Sequence, residues 1–287
     1  MTKRSAKRPT GFTEGRCVRG TYIPSDRAAE ITRSLSFTSP SRVLAQFSAD
    51  DGFPGTAAAE SGVLRHFAFR LGDVDGRSDI LTQSAPIHDA RMLEHMLPFV
   101  DTRMSNGGPG AKSNALTSAN REKPRQANFP TAGGQRGSFA RTIFWGVHAF
   151  PATNVRGETR FIKFKVEPVG GEVMLSEDIA RTKSADVWND DLELRIAARD
   201  VRFSVMAVLD CPGAPIMDVT IRWPDEGKRE AVRLGTIVIT GLETNEVWNG
   251  LAFDPANLAE GIGHPPDEVF AARCAAYAAS RTGGALT

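Results

Sequence analysis

The octapeptide Leu64-Arg65-His66-Phe67-Ala68-Phe69-Arg70-Leu71 constrains this chain more than any other stretch. Side chains of a strand point alternately to opposite faces. Leu64, His66, Ala68 and Arg70 therefore share one face, and Arg65, Phe67, Phe69 and Leu71 the other. Turn chemistry follows at residues 73–76, and residues 78–81 open a second strand, so the pair predicts a hairpin. Further strands are predicted at 16–24 (closed by Pro24), 42–48, 140–150, 159–166, 201–209 and 232–240, with residues 154–157 as the turn between the third and fourth of these runs. Helices are predicted over 26–34, over 88–100 with Met92, Met96 and Leu97 on one stripe, and over about 185–198. A last one runs over 267–281, introduced by Gly263 and the Pro265-Pro266 pair. Strands come early and helices late, which predicts an α+β domain built on an antiparallel β-barrel.

The 287 residues suffice for one large barrel domain, expected over residues 11–287 behind a basic tail at 1–10 (Lys3, Arg4, Lys7, Arg8). Residues 104–140 turn polar and Gly/Ser/Asn/Pro-rich, too long for an ordinary turn, and are expected to form an extended arm or loop. A net charge of +1 argues against an electrostatic nucleic-acid or membrane binder. Cys17, Cys211 and Cys274 share no paired spacing, so reduced thiols are expected rather than a disulfide frame or a zinc site. No stretch approaches the roughly 20 apolar residues of a membrane span, and no secretory h-region follows the basic start. The expectation is a cytoplasmic protein.

Several segments carry a resemblance. Phe144-Trp145-Gly146-Val147-His148-Ala149-Phe150, followed by Asn154, Gly157-Glu158 and Phe161-Ile162-Lys163-Phe164, resembles the catalase strand pair that holds a Ser-His-Thr-Phe segment. Asp254-Pro255-Ala256-Asn257-Leu258, continued by Arg273-Cys274-Ala275-Ala276-Tyr277, resembles the ligand helix of the small, catalase-related heme peroxidases. Gly20-Thr21-Tyr22-Ile23-Pro24-Ser25, Thr220-Ile221-Arg222-Trp223-Pro224-Asp225 and Leu234-Gly235-Thr236 are similar to the same subgroup. The shared order of these segments, over about residues 12–281, makes the resemblance strong.

What it implies first is a heme b cofactor with Tyr277 as the iron ligand, the role tyrosine plays in catalase. In catalases an arginine, the strand histidine and an aspartate six residues before the arginine form a relay behind that tyrosine; Arg273, His148 and Asp267 stand at matching positions. The physical requirement is separate from the name. A phenolate ligand needs a tyrosine ionised at neutral pH, although free tyrosine titrates near 10. Arg273 and Tyr277, at i and i+4, share one helix face, so the guanidinium is expected to lower that value.

Elsewhere the pattern departs from the family. Aligning Gly20 puts Phe12-Thr13-Glu14-Gly15 at the family's His-Ala-Lys-Gly segment, with Phe12 at the distal histidine. Phenylalanine cannot take a proton from peroxide, and such a group contributes about 10²–10⁴-fold. Low catalase turnover is therefore expected. Ser48, the usual partner of that histidine, remains, while Gln46 replaces an arginine that meets a heme propionate. Gln83 stands near a distal asparagine. Arg65 is kept from the family's Pro-Arg-Gly-Phe-Ala element, with His66 in place of its glycine. His66, His88 or Glu14 could supply a relocated base. Arg281 follows Tyr277 where a heme-contacting arginine is normally found.

These departures imply a diverged heme oxidoreductase, isomerase or dehydratase acting on a small organic molecule. The chemistry expected is rearrangement or dehydration of a hydroperoxide or N–O compound, or slow peroxide-dependent oxidation. A weak peroxidase with a relocated base and a non-catalytic catalase-like protein stay open as alternatives. The resemblance also implies a homodimer.

Overall fold

The computed structural model describes residues 15–50, 64–73, 76–87, 138–173, 186–244 and 252–283. The expected helix over 88–100, nearly all of the 104–140 arm, Phe12, Glu14 and His88 lie outside the described residues.

Strand β1 spans Arg16–Pro24, and short helices α1 (Ala28–Ile31) and α2 (Leu35–Thr38) lead to β2 (Ser41–Asp50). β3 (Leu64–Leu71) and β4 (Ser78–Gln83) form the predicted hairpin. A 3₁₀ turn at Phe139–Arg141 precedes β5 (Phe144–Trp145), β6 (Phe150–Thr153) and β7 (Thr159–Pro168). Helix α3 (Asp186–Ala197), β8 (Arg202–Leu209), β9 (Ala231–Leu242) and helix α4 (Glu268–Gly283) complete the order.

All strand pairs are antiparallel, in the order β5-β4-β3-β2-β1-β9-β8-β7-β6. β5 also pairs with β7, which joins the two ends into an eight-stranded barrel, with β6 as a flap on β7. Closure removes the free edges that an open sheet would expose.

The interior is aromatic. Phe47, Phe67, Phe69, Phe144 and Phe203 are fully buried, and Phe47 stacks on Phe67 with ring centroids 4.5 Å apart. These rings come from alternate positions of the strands, as the Leu64–Leu71 pattern requires, so the barrel is packed rather than hollow. Anything the protein binds through its strands must therefore meet the outward-facing residues.

The expected strand at 140–150 is broken. Residues 146–149 leave the sheet between β5 and β6. The Gly146 amide donates to the Phe164 carbonyl (2.8 Å), and a Cβ at Gly146 would lie 3.2 Å from that of Phe164. The chain thus hugs β7 and then swings outward, carrying His148 off the barrel wall. The expected helix at 26–34 is shortened to α1, and α2 begins only beyond it. Between them the Arg33 amide bonds the Thr153 carbonyl and the Thr32 hydroxyl bonds the Gly261 carbonyl, and these tertiary ties override local helical preference.

Candidate functional site

Helix α4 presents one stripe to the barrel. Phe270, Arg273, Cys274 and Tyr277 fall at i, i+3, i+4 and i+7. Phe270 joins the core, and Cys274 packs against it. The carboxylate of Asp267 caps the helix by accepting from the Phe270 amide (2.8 Å). That carboxylate also accepts from His148 Nδ1, at 3.0 Å to Oδ2 and 3.1 Å to Oδ1. On the other side of the ring, Arg273 Nη1 donates to His148 Nε2 (3.3 Å). Arg273 also hydrogen-bonds the Tyr277 hydroxyl. Asp267, His148, Arg273 and Tyr277 are thus connected in line, and the excursion at 146–149 is what lets His148 reach the helix.

The partners fix the protons. Burial pushes His148 below the usual histidine range, against the hydrogen bond to Asp267, with Arg273 pushing the same way as burial. The ring is neutral, with Nδ1 protonated towards the carboxylate and the Nε2 lone pair facing the guanidinium. Tyr277 behaves differently from the sequence expectation. Its hydroxyl is pushed up, chiefly by burial and further by the Asp254 carboxylate, while Arg273 pulls it down without prevailing. The guanidinium alone does not make a phenolate; an additional positive charge at the oxygen is needed. The second tyrosine, Tyr22, is in the barrel core, donating to the Phe37 carbonyl (3.2 Å).

Facing this helix stripe is a row on the outer wall. Cross-strand register pairs Ser48 with His66 and His66 with Gln83, so the three side chains stand side by side on the outward face of β2, β3 and β4. The next row is Gln46, Ala68 and Leu81. Burial lowers His66 to about 4, and the charge of Arg273 adds to that, which places the row and the α4 stripe within electrostatic reach. Gly15 lies against this row. A Cβ on Gly15 would lie 2.2 Å from the Phe47 carbonyl oxygen, 3.0 Å from Ser48 Cβ and 3.2 Å from Gln46 Nε2, so no larger residue fits there.

Not every expected residue joins the group. Arg65 is on the opposite face of β3, buried, with its guanidinium 4.2 Å above the Trp188 ring of α3 and Nη1 donating to the Thr142 hydroxyl (3.3 Å). Gln83 is in the row, but its amide nitrogen donates to the carbonyls of Ala85 (3.2 Å) and Ile87 (2.9 Å). Both N–H groups are therefore committed, and it cannot act as the donor that a distal asparagine would be. Arg281 is in the last turns of α4, and its side chain lies outside the described set.

Two residues went unnoticed as participants. Asp254 is buried beside Cys274 and Tyr277, and its segment is pinned to β4 where the Asp254 and Asn257 nitrogens donate to Asp79. Lys163 is buried behind His148, its ammonium 5.0 Å from the Trp223 ring centroid and without a hydrogen-bond partner among the described residues. Burial pushes it down to about 8, against Glu226 and Asp267. The sequence signal was a lysine between two apolar residues, Ile162 and Phe164. A cavity of about 400 Å³ lined by Arg160, Phe161, Cys211, Ala214 and Ile216 involves none of the site residues.

Comparison with known proteins bears on the family and the fold. The chain is 25% identical over 274 residues to a catalase-related peroxidase of Synechococcus elongatus, covering 93% of this chain and 80% of the relative. It is 32% identical over 151 residues to a catalase-related peroxidase of Mycolicibacterium paratuberculosis, covering 51% of this chain and 47% of that protein. Among solved structures, a fungal catalase superposes with a TM-score of 0.72 over 97% of this chain and 60% of its own, at 19% identity, a likeness of fold. A catalase family model matches residues 10–283, and the chain therefore belongs to the catalase family.

Proposed function

We propose that the protein binds a b-type heme through the Tyr277 oxygen and uses it as an oxidoreductase, or as an isomerase or dehydratase, on a small organic substrate such as a hydroperoxide or an N–O compound. The observation that carries this reading is the continuous line Asp267–His148–Arg273–Tyr277. A buried carboxylate, a neutral imidazole and a guanidinium converging on one phenol are costly to assemble, and they suit an oxygen that must carry negative charge against a cation. The residues fit that group. Tyr277 has a hydrogen-bond donor on its oxygen, and the outward row within electrostatic reach of Arg273 carries Ser48, His66 and Gln83, with Gln46 and Ala68 in the row beside it.

Bound heme supplies the redox-active, Lewis-acidic iron. The chain's own residues do the remainder. Arg273 holds the charge of the Tyr277 oxygen, His148 Nε2 fixes the guanidinium, and Asp267 keeps the Nδ1 proton of His148 while anchoring the helix. Phe12 stands by alignment where relatives carry a histidine, which favours an apolar substrate over rapid dismutation of hydrogen peroxide.

The test is reconstitution with hemin. The expected result is a Soret band with high-spin ferric charge-transfer features, and consumption of cumene hydroperoxide well above that of free hemin, with little oxygen evolved from hydrogen peroxide. A protein that stays colourless after hemin addition contradicts the reading.

A further inference from the structure

We propose that Lys163 is a positioning residue of the site: its buried ammonium is the counter-charge of Asp267, and it thereby keeps His148 from taking up a second proton, so that Nε2 continues to accept from Arg273. What this means for iron rests on the heme reading above; the proton assignment itself does not.

The excursion that carries His148 stands over this lysine. One foothold is Gly146, whose amide donates to the Phe164 carbonyl (2.8 Å). The other is Phe150, which pairs with Ile162 in the register of β6 and β7. Lys163 is the residue between the two footholds. Ile162 and Phe164 belong to the barrel core, so by alternation the Lys163 side chain leaves β7 on the outer face. On that face Ala149, the residue after His148, packs with Trp223 and with Val208, the cross-strand partner of Lys163. The ammonium is buried there, 5.0 Å from the Trp223 ring centroid, with no hydrogen-bond partner among the described residues.

A buried charge without a hydrogen-bonded partner is costly, and a methionine would fill the same space without that cost. The charges that act on the ammonium are Glu226, Asp267 and Asp218 in its favour and Arg229 against it. Glu226 already has Arg222, whose Nε donates to it at 2.7 Å. Asp267 differs. It is buried, and its described hydrogen bonds come from neutral groups, the Phe270 amide (2.8 Å) and the His148 ring (3.0 Å). A carboxylate in that state draws a proton onto the imidazole beside it. A doubly protonated ring would carry N–H on both nitrogens, and Nε2 would then confront the guanidinium with a donor instead of a lone pair. Arg273 would lose the acceptor that holds it at 3.3 Å from the ring and directs it at Tyr277. Burial opposes that second proton most, and the positive charges of Arg273 and Lys163 act in the same direction against Asp267. Of these two cations, Lys163 has no place in the line itself, which leaves its charge as its contribution.

The experiment follows the ring nitrogens of His148 by NMR of heme-free protein labelled at histidine, as pH is lowered from neutral. Wild type, Lys163→Met and Lys163→Arg are compared, and the His148 signals are assigned by their loss in His148→Gln. In the wild type Nε2 should be unprotonated at neutral pH and gain its proton only in acid. Lys163→Met should gain that proton about one pH unit higher, because a positive charge has been taken from the neighbourhood of the ring. Lys163→Arg keeps the charge and should titrate with the wild type. A Lys163→Met protein that titrates as the wild type does overturns the proposal. So does an equal shift in Lys163→Arg, which would assign the effect to packing rather than charge. A Lys163→Met chain that fails to fold also counts against it, since a counter-charge alone contributes no packing that methionine cannot supply. Hemin is absent throughout, so uptake of hemin by the wild type decides the heme reading separately from this result.

Discussion

The two sides of the site are built in different ways. Behind Tyr277, Asp267, His148 and Arg273 are joined by hydrogen bonds of 3.0–3.3 Å, Arg273 bonds the Tyr277 oxygen, and the buried Asp267 carboxylate also caps α4. Opposite it, Ser48, His66 and Gln83 belong to three neighbouring strands and are brought together by register alone. A hydrogen-bonded line tolerates little change, because each buried member left without its partner costs about 1–3 kcal/mol. A register row keeps its positions whatever side chains occupy them, so its chemistry can change without disturbing the barrel. A site built in these two ways can keep one half while the side chains of the other change.

The largest effect that can test this contrast is in Asp267→Ala. It removes the helix cap and leaves the buried His148 N–H without its acceptor, for an expected loss of about 3 kcal/mol in urea unfolding of the heme-free protein. Asp267→Asn keeps the cap and should lose about 1 kcal/mol. Equal losses for the two would mean that the helix cap contributes little.

Lys163 should behave in the opposite sense. Its ammonium titrates at about 8 in the folded protein and near 10.4 when unfolded. The charged form is therefore disfavoured by folding, a cost fully present below about pH 8 and removed as pH rises towards that of free lysine. The displacement corresponds to about 3 kcal/mol, and the lost contact with Trp223 offsets part of it. Lys163→Met is expected to gain about 1–2 kcal/mol at pH 7 and nothing above pH 10.5. Stability that falls in this variant at neutral pH would show that the ammonium is compensated by a partner.

The smallest effect belongs to the strand row. His66→Leu should change stability at pH 7 by less than about 1 kcal/mol. In the wild type the unfolded chain binds a proton at His66 below about 6.5 and the folded one only near 4, so stability falls as pH drops through that window. The variant should lose that part of the acid sensitivity and keep the part from His148. A loss as large as that of Asp267→Ala would erase the distinction between the two sides.

Much of this was legible in the residues. The bounds of β1 and the two faces of β3 follow from alternation and from Pro24, which are local signals. The pairing of Arg273 with Tyr277 follows from helical spacing. What stayed hidden depends on distant contacts. Gly146 interrupts a run that reads as continuous strand, because its amide is claimed by Phe164 across the sheet. Arg65 reads as a cofactor contact until the face it occupies, against Trp188, is known. The upward shift of Tyr277 could not be read from an i, i+4 arginine, since burial and Asp254 enter from elsewhere in the chain. The alignment of Ser48, His66 and Gln83 is a matter of strand register, which sequence spacing does not give.

The central claim is that iron is held by the oxygen of residue 277. Hemin titration of Tyr277→Phe beside the wild type tests it most directly, because the ring stays in place and only the oxygen is lost. The wild type should bind one equivalent and show the charge-transfer band of a phenolate-ligated ferric heme, and the variant should lose that band and release its hemin to apomyoglobin far faster. Identical spectra and release rates for the two proteins would contradict the account.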